Sequence, residues 1–543
     1  MENRTTANAE ARFASHAYTC ACVPDPVLVL TSPTLSNVIM AYARPFAWTD
    51  RAGNTYHYYE NPLWLACVFI LTQELCERLA FYSLSPNLQL VLKDYLGYAD
   101  TQADSYVSLF NAILYVTPLL GGILADTIAG VYFTILGFSL LYMLGLVILT
   151  LASIRSISEP WMIHLSLLVL ITIGAGGIKS CVNVMGAQQM HPDEHKELIT
   201  RFFTYFYASI NIGAVIGGIV SPILLQEVSY TASFVFPLAF FAVATIIFVV
   251  GDFMNRYVKT KPQGSAVLQV GEVAVYSVAR CSLEKNKESR GGTFKDDFIE
   301  DARVFFHLLP LFALIVPFNM AYNDMNTTWL TQAFKMDKNL FGWNMPAAWM
   351  QNVDPIAVVV TSILVDRVLY PWLRKRNMMP SVLVRFFIGS LFGALALLCA
   401  LIVEYQVMNH ALFTVSVWWQ IPQFAFIATG EIFLISTSYE VAFTHAPPQL
   451  KAVASAMNLC FMAIANGISS EIFRAAAPWM PDFDFSKPEE SVIGSHYDYY
   501  YCVLIGICLF GAACCLLMVP YYRRVHAVAM ARQKSEYDGG LEL

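Results

Sequence analysis

Residues 127–154 read TIAGVYFTILGFSLLYMLGLVILTLASI, and from Thr127 to Ile154 there is no Asp, Glu, Lys or Arg. About 20 apolar residues in a helix cross the hydrocarbon core of a bilayer. This stretch meets that length alone, and Val228 to Gly251 is equally free of charge. Working outward from these two blocks, ten more candidates appear. The twelve lie near 63–84, 105–125, 131–154, 162–184, 203–226, 230–251, 305–324, 346–366, 383–403, 413–435, 452–472 and 499–520. Over its 543 residues the chain is 57% apolar and 13% charged. A soluble protein of that size needs far more charge on its surface. The expected fold class is an all-α membrane protein with twelve transmembrane helices.

One break dominates the pattern. Between Asp252 and Arg303 the chain turns polar, with Lys285, Lys287, Glu288 and Arg290 close together. Six spans precede the break and six follow. This layout resembles that of major-facilitator transporters, whose two six-helix bundles pack around a central cavity. The expected organisation is a cytoplasmic tail over 1–60, a first bundle over 61–252, a cytoplasmic linker over 253–303, a second bundle over 304–522 and a cytoplasmic tail over 523–543. The spacing of Phe294, Phe298, Phe305 and Leu309 among acids fits either an amphipathic helix on the inner surface before span 7 or a flexible linker. Nine Lys or Arg fall between residues 253 and 303. The positive-inside rule therefore puts that segment, and both termini, in the cytoplasm. Pro24, Pro26 and Pro33 interrupt the apolar Val27 to Leu30, so no cleaved signal peptide is expected and the first span serves as the insertion signal.

The twelve cysteines do not form a disulfide framework. Most, such as Cys67, Cys181, Cys460 and Cys514, sit inside spans as small packing residues. Cys20 and Cys22 form a lone C-x-C with no second ligand pair, so no metal site is expected. Glycine pairs at Gly121-Gly122, Gly176-Gly177 and Gly217-Gly218 suit close helix contact. No soluble domain, nucleotide loop or catalytic triad is visible, and an enzyme is the least supported reading. Nothing points to nucleic acid.

Ionisable residues inside a span cost roughly 2.5–3.5 kcal/mol each on insertion scales, and they persist where they pair or work. Span 1 holds Glu74, Glu77 and Arg78, which share one helix face, and Tyr82 extends the stripe. Two acids beside one base leave a surplus proton acceptor. Span 4 holds Lys179, whose natural partner is that surplus carboxylate. A carboxylate set between a base and an apolar wall can gain and release a proton. Both buried bases lie in the first six spans. The second six supply Asp324, Asp354 and Glu431. A cavity between the halves would thus be positive on one wall and negative on the other, a field that suits a zwitterion such as a peptide or amino acid.

These residues carry a resemblance. Glu74-Leu75-Cys76-Glu77-Arg78-Leu79-Ala80-Phe81-Tyr82 resembles the E-x-x-E-R-F-x-Y-Y signature of the proton-dependent oligopeptide transporter family. Tyr115 to Asp126, Gly174 to Gly186, and Phe203 to Gly213 resemble its second, fourth and fifth helices. Tyr322-Asn323 with Gln332-Ala333, Asp354-Pro355-Ile356 and Tyr370-Pro371 look most like the fungal branch. Gly430-Glu431 with Glu440 and Ala446-Pro447 resembles helix 10. The likeness covers about residues 60–520. It implies a proton-coupled symporter importing di- and tripeptides, with protons as coupling ion, no other cofactor, and a functional monomer in the plasma membrane. By the same likeness Arg78 and Lys179 would hold the peptide carboxylate and Glu431 its amino terminus. Tyr82, Tyr115 and Asn211 would touch the backbone, Asn323 and Asp354 would complete the substrate site, and Glu74, Glu77, Arg78 and Lys179 would couple proton movement. Several positions depart from the pattern: Phe81, Ser85, Asn319, Asn323 with Asp324 beside it, and Asn458. The loop Asp126 to Phe133 also lacks the family's basic residues.

Two other functions compete. A transporter of nitrate or a plant-type metabolite is one. The nitrate carriers use a helix 7 histidine, and none lies between Phe318 and Gln332. The other is a sensor that binds peptide without transport, against which the intact Glu74/Glu77 pair argues.

Overall fold

In the computed structural model the described residues are 44–49, 53–191, 194–262, 264–484 and 486–527. Cys20 and Cys22, the prolines before Val38 and the chain end after Ala527 lie outside them. Among the described residues, nine helices are individually long and apolar enough to cross a membrane, and a bent pair adds a tenth. Two more spans follow from geometry. The helical stretch Asp100–Ala152 runs for 53 residues, about 80 Å at 1.5 Å per residue, which is far more than one crossing. It turns at Gly130, whose φ of 72° suits glycine alone, so it forms two spans. Residues 63–96 form another, whose buried charges mask its apolar character.

The twelve spans are therefore α1 (63–96), α2 (100–129), α3 (Gly130–Ala152), α4 (Pro160–Ala187), α5 (Lys196–Glu227) and α6 (Tyr230–Phe253), followed by α7 (Asp296–Ala313 and Val316–Phe334, bent by 45°), α8 (Ala347–Lys375), α9 (Val382–Asn409), α10 (Val417–Thr444), α11 (Lys451–Trp479) and α12 (Tyr497–Leu517). Two separate hydrophobic cores match the two halves. One gathers buried residues from Ala66 to Tyr257 and the other from Val270 to Val525. Large apolar side chains such as Phe240, Val243, Ile246, Ile402, Phe510 and Leu517 cover the outside. On a soluble protein such a belt would be an aggregation surface. Here it is the face that lipid solvates, and the protein is an integral multi-pass membrane protein.

Three local features differ from the sequence expectation. The stretch anticipated as a tail contains an antiparallel hairpin, Phe46–Thr49 with Thr55–Tyr58. Its Phe46 packs on His191 and His195, and its Tyr58 on His191. In the linker, a helix covers Ala266–Ala279. The helix anticipated over Phe294–Leu309 forms as Asp296–Ala313, but it does not lie on a surface by itself. It buries Ile299, Ala302, Phe305, Leu308 and Phe312 and runs into the core as the first part of α7. The acids at its start occupy the favourable N-terminal turn of the helix dipole. The ten described cysteines are all free.

The glycine pairs bring helices into backbone contact. A Cβ at Gly213 would sit 2.3 Å from the Leu75 carbonyl, and one at Gly217 would sit 2.4 Å from that of Leu79. These two glycines press α5 against the charged stretch of α1. Gly121 packs on Gly177 in the same way, whereas Gly122 faces open space. Gly217→Ala should lower stability by about 1–3 kcal/mol, the usual cost of overpacking. Gly122→Ala should leave it unchanged or slightly raised. Thermal unfolding of the two detergent-purified variants checks this contrast. Equal midpoints would show that the α1–α5 approach is not constrained by Gly217.

The halves touch firmly at one end. Lys93 of α1 binds Asp100 of α2 at 2.5 Å. Asp100 in turn accepts from the Phe483 amide at 2.7 Å and donates its own amide to Asp482 at 3.0 Å. Gln89 donates to Thr331, Ser105 pairs with Ser470, and Trp349 donates to the Ile219 carbonyl. At the opposite end a cavity of about 690 Å³ opens between Trp48, Tyr56, Asn183 and Phe203 of the first half and Gln449 and Ala452 of the second. The molecule is thus closed at one end and spread at the other.

Candidate functional site

Span α1 is helical at positions 74, 77 and 78, so the three charges share one face, as the spacing requires. Arg78 Nε lies 3.1 Å from Glu74 Oε1, and its Nη2 pairs with Glu77. All three are buried, Glu77 completely. Two carboxylates share one guanidinium in a place that water scarcely reaches. Around them, Gln73 donates to Ser139 at 3.0 Å, and the buried Tyr142 hydroxyl has no partner.

Lys179 stands elsewhere than its charge alone suggests. It makes no ion pair within 4 Å of Glu74 or Glu77. Its ammonium lies over the rings of Phe81, at 4.8 Å, and Tyr115, at 5.0 Å. The cause is local: Arg78 already occupies both α1 carboxylates, and the aromatic faces offer the cation an alternative. Phe81, the departure from the usual tyrosine, is therefore one of the two surfaces that hold Lys179.

A central cavity of about 100 Å³ lies between the halves. From the first half it is lined by Phe81, Tyr82, Ser85, Asn111 and Tyr115, and from the second by Asn319, Tyr322, Asn323, Asp354 and Asn466. The expected residues Tyr82, Tyr115, Asn323 and Asp354 thus meet at one place. Asp354 sits in the first turn of the helix Val353–Leu364, where the dipole favours an acid, and its Oδ1 is buried without a partner. Glu431 of α10 lies beside Tyr322, and its Oε2 is likewise unpartnered. The second half therefore presents two carboxyl groups with no cation paired to either among the described residues.

Arg78, Lys179 and Glu431, expected at the substrate site, stand beside the cavity and are not among the residues that line it. Three other expected residues are placed differently. Asn211 does not line the central cavity, and its amide donates back to the Tyr207 carbonyl at 2.8 Å. Asp324, read as a cavity acid, turns away: its Oδ1 accepts from Tyr500 at 2.7 Å and from Thr328 at 3.1 Å. Successive residues of a helix point about 100° apart, so with Asn323 facing the cavity, Asp324 must face α12. Asn458 is buried against Ser438 and does not reach the cavity. Sequence reasoning also overlooked Asn111, Gln351, Asn352 and Asn466. Each is an uncharged residue in an apolar span, a signal that a search for charges passes over.

Outside the spans, burial and the neighbouring His526 pull His445 down to about 4. It is neutral at physiological pH, in contact with His526 at 2.8 Å and Tyr522 at 3.1 Å. Glu440, one turn earlier, is held by both guanidinium nitrogens of Arg385 at 2.6 and 3.0 Å.

A sequence model of the POT family matches residues 132–480. The chain belongs to the POT family. Its members are transporters, not enzymes. The protein NRT1/PTR family 8.5 of Arabidopsis thaliana is 27% identical over 82% of this chain and 87% of its own length. Peptide transporter family 1 of Caenorhabditis elegans is 30% identical over 62% of this chain and 44% of its own length. Solute carrier family 15 member 1 of Rattus norvegicus is 27% identical over 63% of this chain and 52% of its own. The crystal structure of the POT family transporter PepTSo superposes with a TM-score of 0.71 at 22% identity, covering 85% of this chain and 98% of that one. An auto-inhibited POT family peptide transporter gives 0.69 at 24%, covering 84% and 96%. At these identities the structures speak for the fold.

Proposed function

We propose that this POT family transporter is a proton-coupled symporter that imports di- and tripeptides by alternating access. The observation that carries the reading is the division of buried charge. Arg78 and Lys179 belong to the first half, one turn from the cavity-lining Tyr82 and over the ring of Tyr115, and Asp354 and Glu431, with no cation paired to either among the described residues, belong to the second. A zwitterion satisfies both walls at once. A lone anion such as nitrate would meet the bases but leave the acids without a counter-charge. In this reading Arg78 and Lys179 take the peptide carboxylate, Glu431 takes the ammonium, and Tyr82 and Tyr115 contact the backbone. Glu74 and Glu77 exchange the proton, because two carboxylates compete for one guanidinium that the substrate also needs. The termini face the cytoplasm of a plasma-membrane protein, so the end closed by Lys93, Asp100 and Asp482 is external and the conformation faces inward. Ligand pockets commonly measure about 300–1,000 Å³. The cavity must therefore widen to take a peptide, which the spread inner end permits.

Proteoliposome uptake of labelled dialanine, with and without an inward proton gradient, tests the whole reading. Uptake should rise above the no-gradient control, and nitrate should not compete. Dialanine with an amidated C-terminus should compete more weakly by about 1.5–3 kcal/mol, the worth of a hydrogen bond to a charged group. Equal competition by acid and amide would remove Arg78 and Lys179 from the carboxylate site.

A further inference from the structure

At the closed end of the molecule a second cavity, of about 450 Å³, lies between the halves. That volume is within the range of small-molecule pockets. The first half contributes Leu90, Pro222 and Leu225, and the second Phe334, Met336 and Ala348. The two charged residues on its rim, Asp337 and Lys338, are adjacent and opposite in sign. Lys338 gives its ammonium to the carbonyls of Ala333, Phe334 and Met336 at the end of α7, at 3.3–3.5 Å. An uncharged occupant therefore suits the cavity.

One polar group in the wall is left unsatisfied. Asn87 of α1 lines the cavity and is 1% exposed. Its NH2 has two hydrogens and three acceptors within reach: the Ser83 carbonyl at 3.1 Å and the hydroxyls of Ser221 and Ser233, both at 3.0 Å. A carbonyl can only accept, so the amide cannot be turned round, and Oδ1 is the end left over. It has no partner. Gln226 on the rim cannot supply one, because its NH2 donates to Glu227 at 3.0 Å and to the Asn344 carbonyl at 2.7 Å. A single water would meet Oδ1, but the apolar walls offer it few further partners.

We propose that this cavity binds an uncharged small molecule with an apolar body and a hydrogen-bond donor, and that its occupant holds the closed end shut. The donor meets Asn87 Oδ1, and the body fills the space between the apolar walls. Because those walls come from both halves, parting the halves at this end divides the site. A ligand that binds one arrangement better than another shifts the equilibrium toward it. The occupant therefore slows alternation without competing at the central cavity. This effect on transport rests on the alternating-access reading, whereas the binding itself does not.

Indole and indene test the site, since they share a fused-ring shape and only indole carries an N–H. Equilibrium dialysis against the detergent-purified full chain, corrected for empty micelles, should show indole bound about fivefold more tightly, the factor of one net hydrogen bond. Leu225→Trp, which fills the cavity, should abolish binding of both probes. Should that variant not fold, Ala348→Trp fills the opposite wall. In proteoliposomes indole should lower the maximal rate of dialanine counterflow, which needs no proton gradient, and leave the half-saturating concentration unchanged. Leu225→Trp should be insensitive to it. Binding that survives both filling variants, or no binding at all, would overturn the site. Equal affinity for the two probes would remove Asn87 from recognition and overturn the ligand class. If dialanine is not carried, the peptide reading fails, and the dialysis comparison still decides this one.

Discussion

Glu77→Gln should abolish gradient-driven uptake while leaving exchange of internal for external peptide partly intact. Glu77 is fully buried and shares Arg78 with Glu74. When a peptide carboxylate draws on Arg78, the guanidinium can no longer neutralise both acids. One of them must then take a proton, because an ionised carboxylate without a cation is prohibitively costly in such a place. On the proposed reading, release of the peptide would restore the pair and expel the proton. Glutamine keeps the shape and the hydrogen-bonding capacity of Glu77 but cannot ionise, so the cycle loses its proton step. Exchange returns with the binding site loaded and needs no net proton movement. Arg78→Gln is the informative control. It strands two buried carboxylates, a loss of about 3–5 kcal/mol, and should remove uptake and exchange together. Paired measurements of gradient-driven uptake and counterflow separate the two. Equal loss of both activities in Glu77→Gln would assign that residue to binding or folding and not to coupling.

The lack of contact between Lys179 and the α1 acids sharpens this expectation. A Lys179 salt bridge would have given the second carboxylate its own partner. Because Lys179 rests on Phe81 and Tyr115, the pair of acids remains one cation short. Lys179 is left able to meet an incoming carboxylate at little cost in broken ion pairs.

What could be read in the sequence follows a simple division. The spans were legible because the bilayer imposes a length, and long uncharged runs such as Thr127 to Ile154 have no other stable use. The face shared by Glu74, Glu77 and Arg78 was legible because helical periodicity alone sets it. Contacts between helices were not. The sequence cannot say that Asp324 finds Tyr500 or that Lys179 finds two rings, since those partners lie far along the chain. Span ends were also drawn too short. Reading span 7 to 324 and span 9 to 403 put Lys335 and Glu404 in loops. The helices in fact continue to Phe334 and Asn409. They carry these two residues into a buried ion pair of 3.0 Å, supported by Gln332 at 2.9 Å. A 20-residue window set by hydropathy cannot register a polar pair that only the fold buries. The same blindness hid the amides around the central cavity, since a single Asn in an apolar span looks unremarkable until four helices bring several together.

The second large effect is expected at Glu431. Glu431→Gln should weaken peptides with a free amino terminus by about 1.5–3 kcal/mol, the cost of losing a charged hydrogen bond. N-acetylated peptides, already poor ligands, should change little. Glu431 Oε2 is buried without a partner, and no Lys or Arg pairs with Glu431 among the described residues. Among the described residues, the one fully buried base of the second half, Lys335, is held by Glu404 and lies over the ring of Tyr497. Arg385 is occupied by Glu440. Arg78, in the other half, is shared between Glu74 and Glu77. A carboxyl group so placed is either neutral packing or one half of an ion pair whose other half arrives with the substrate. The two cases respond differently. A packing residue affects every ligand alike through the shape of the cavity, and glutamine preserves that shape. A residue that reads the ammonium affects only ligands that carry one. Binding of free and acetylated dialanine to the unmodified protein and to Glu431→Gln therefore forms a closed thermodynamic cycle, whose coupling term isolates the contact. A coupling near zero, with both ligands losing the same factor, would make Glu431 a structural residue. The amino terminus would then have to be read by Asp354, the other unpaired acid on that wall.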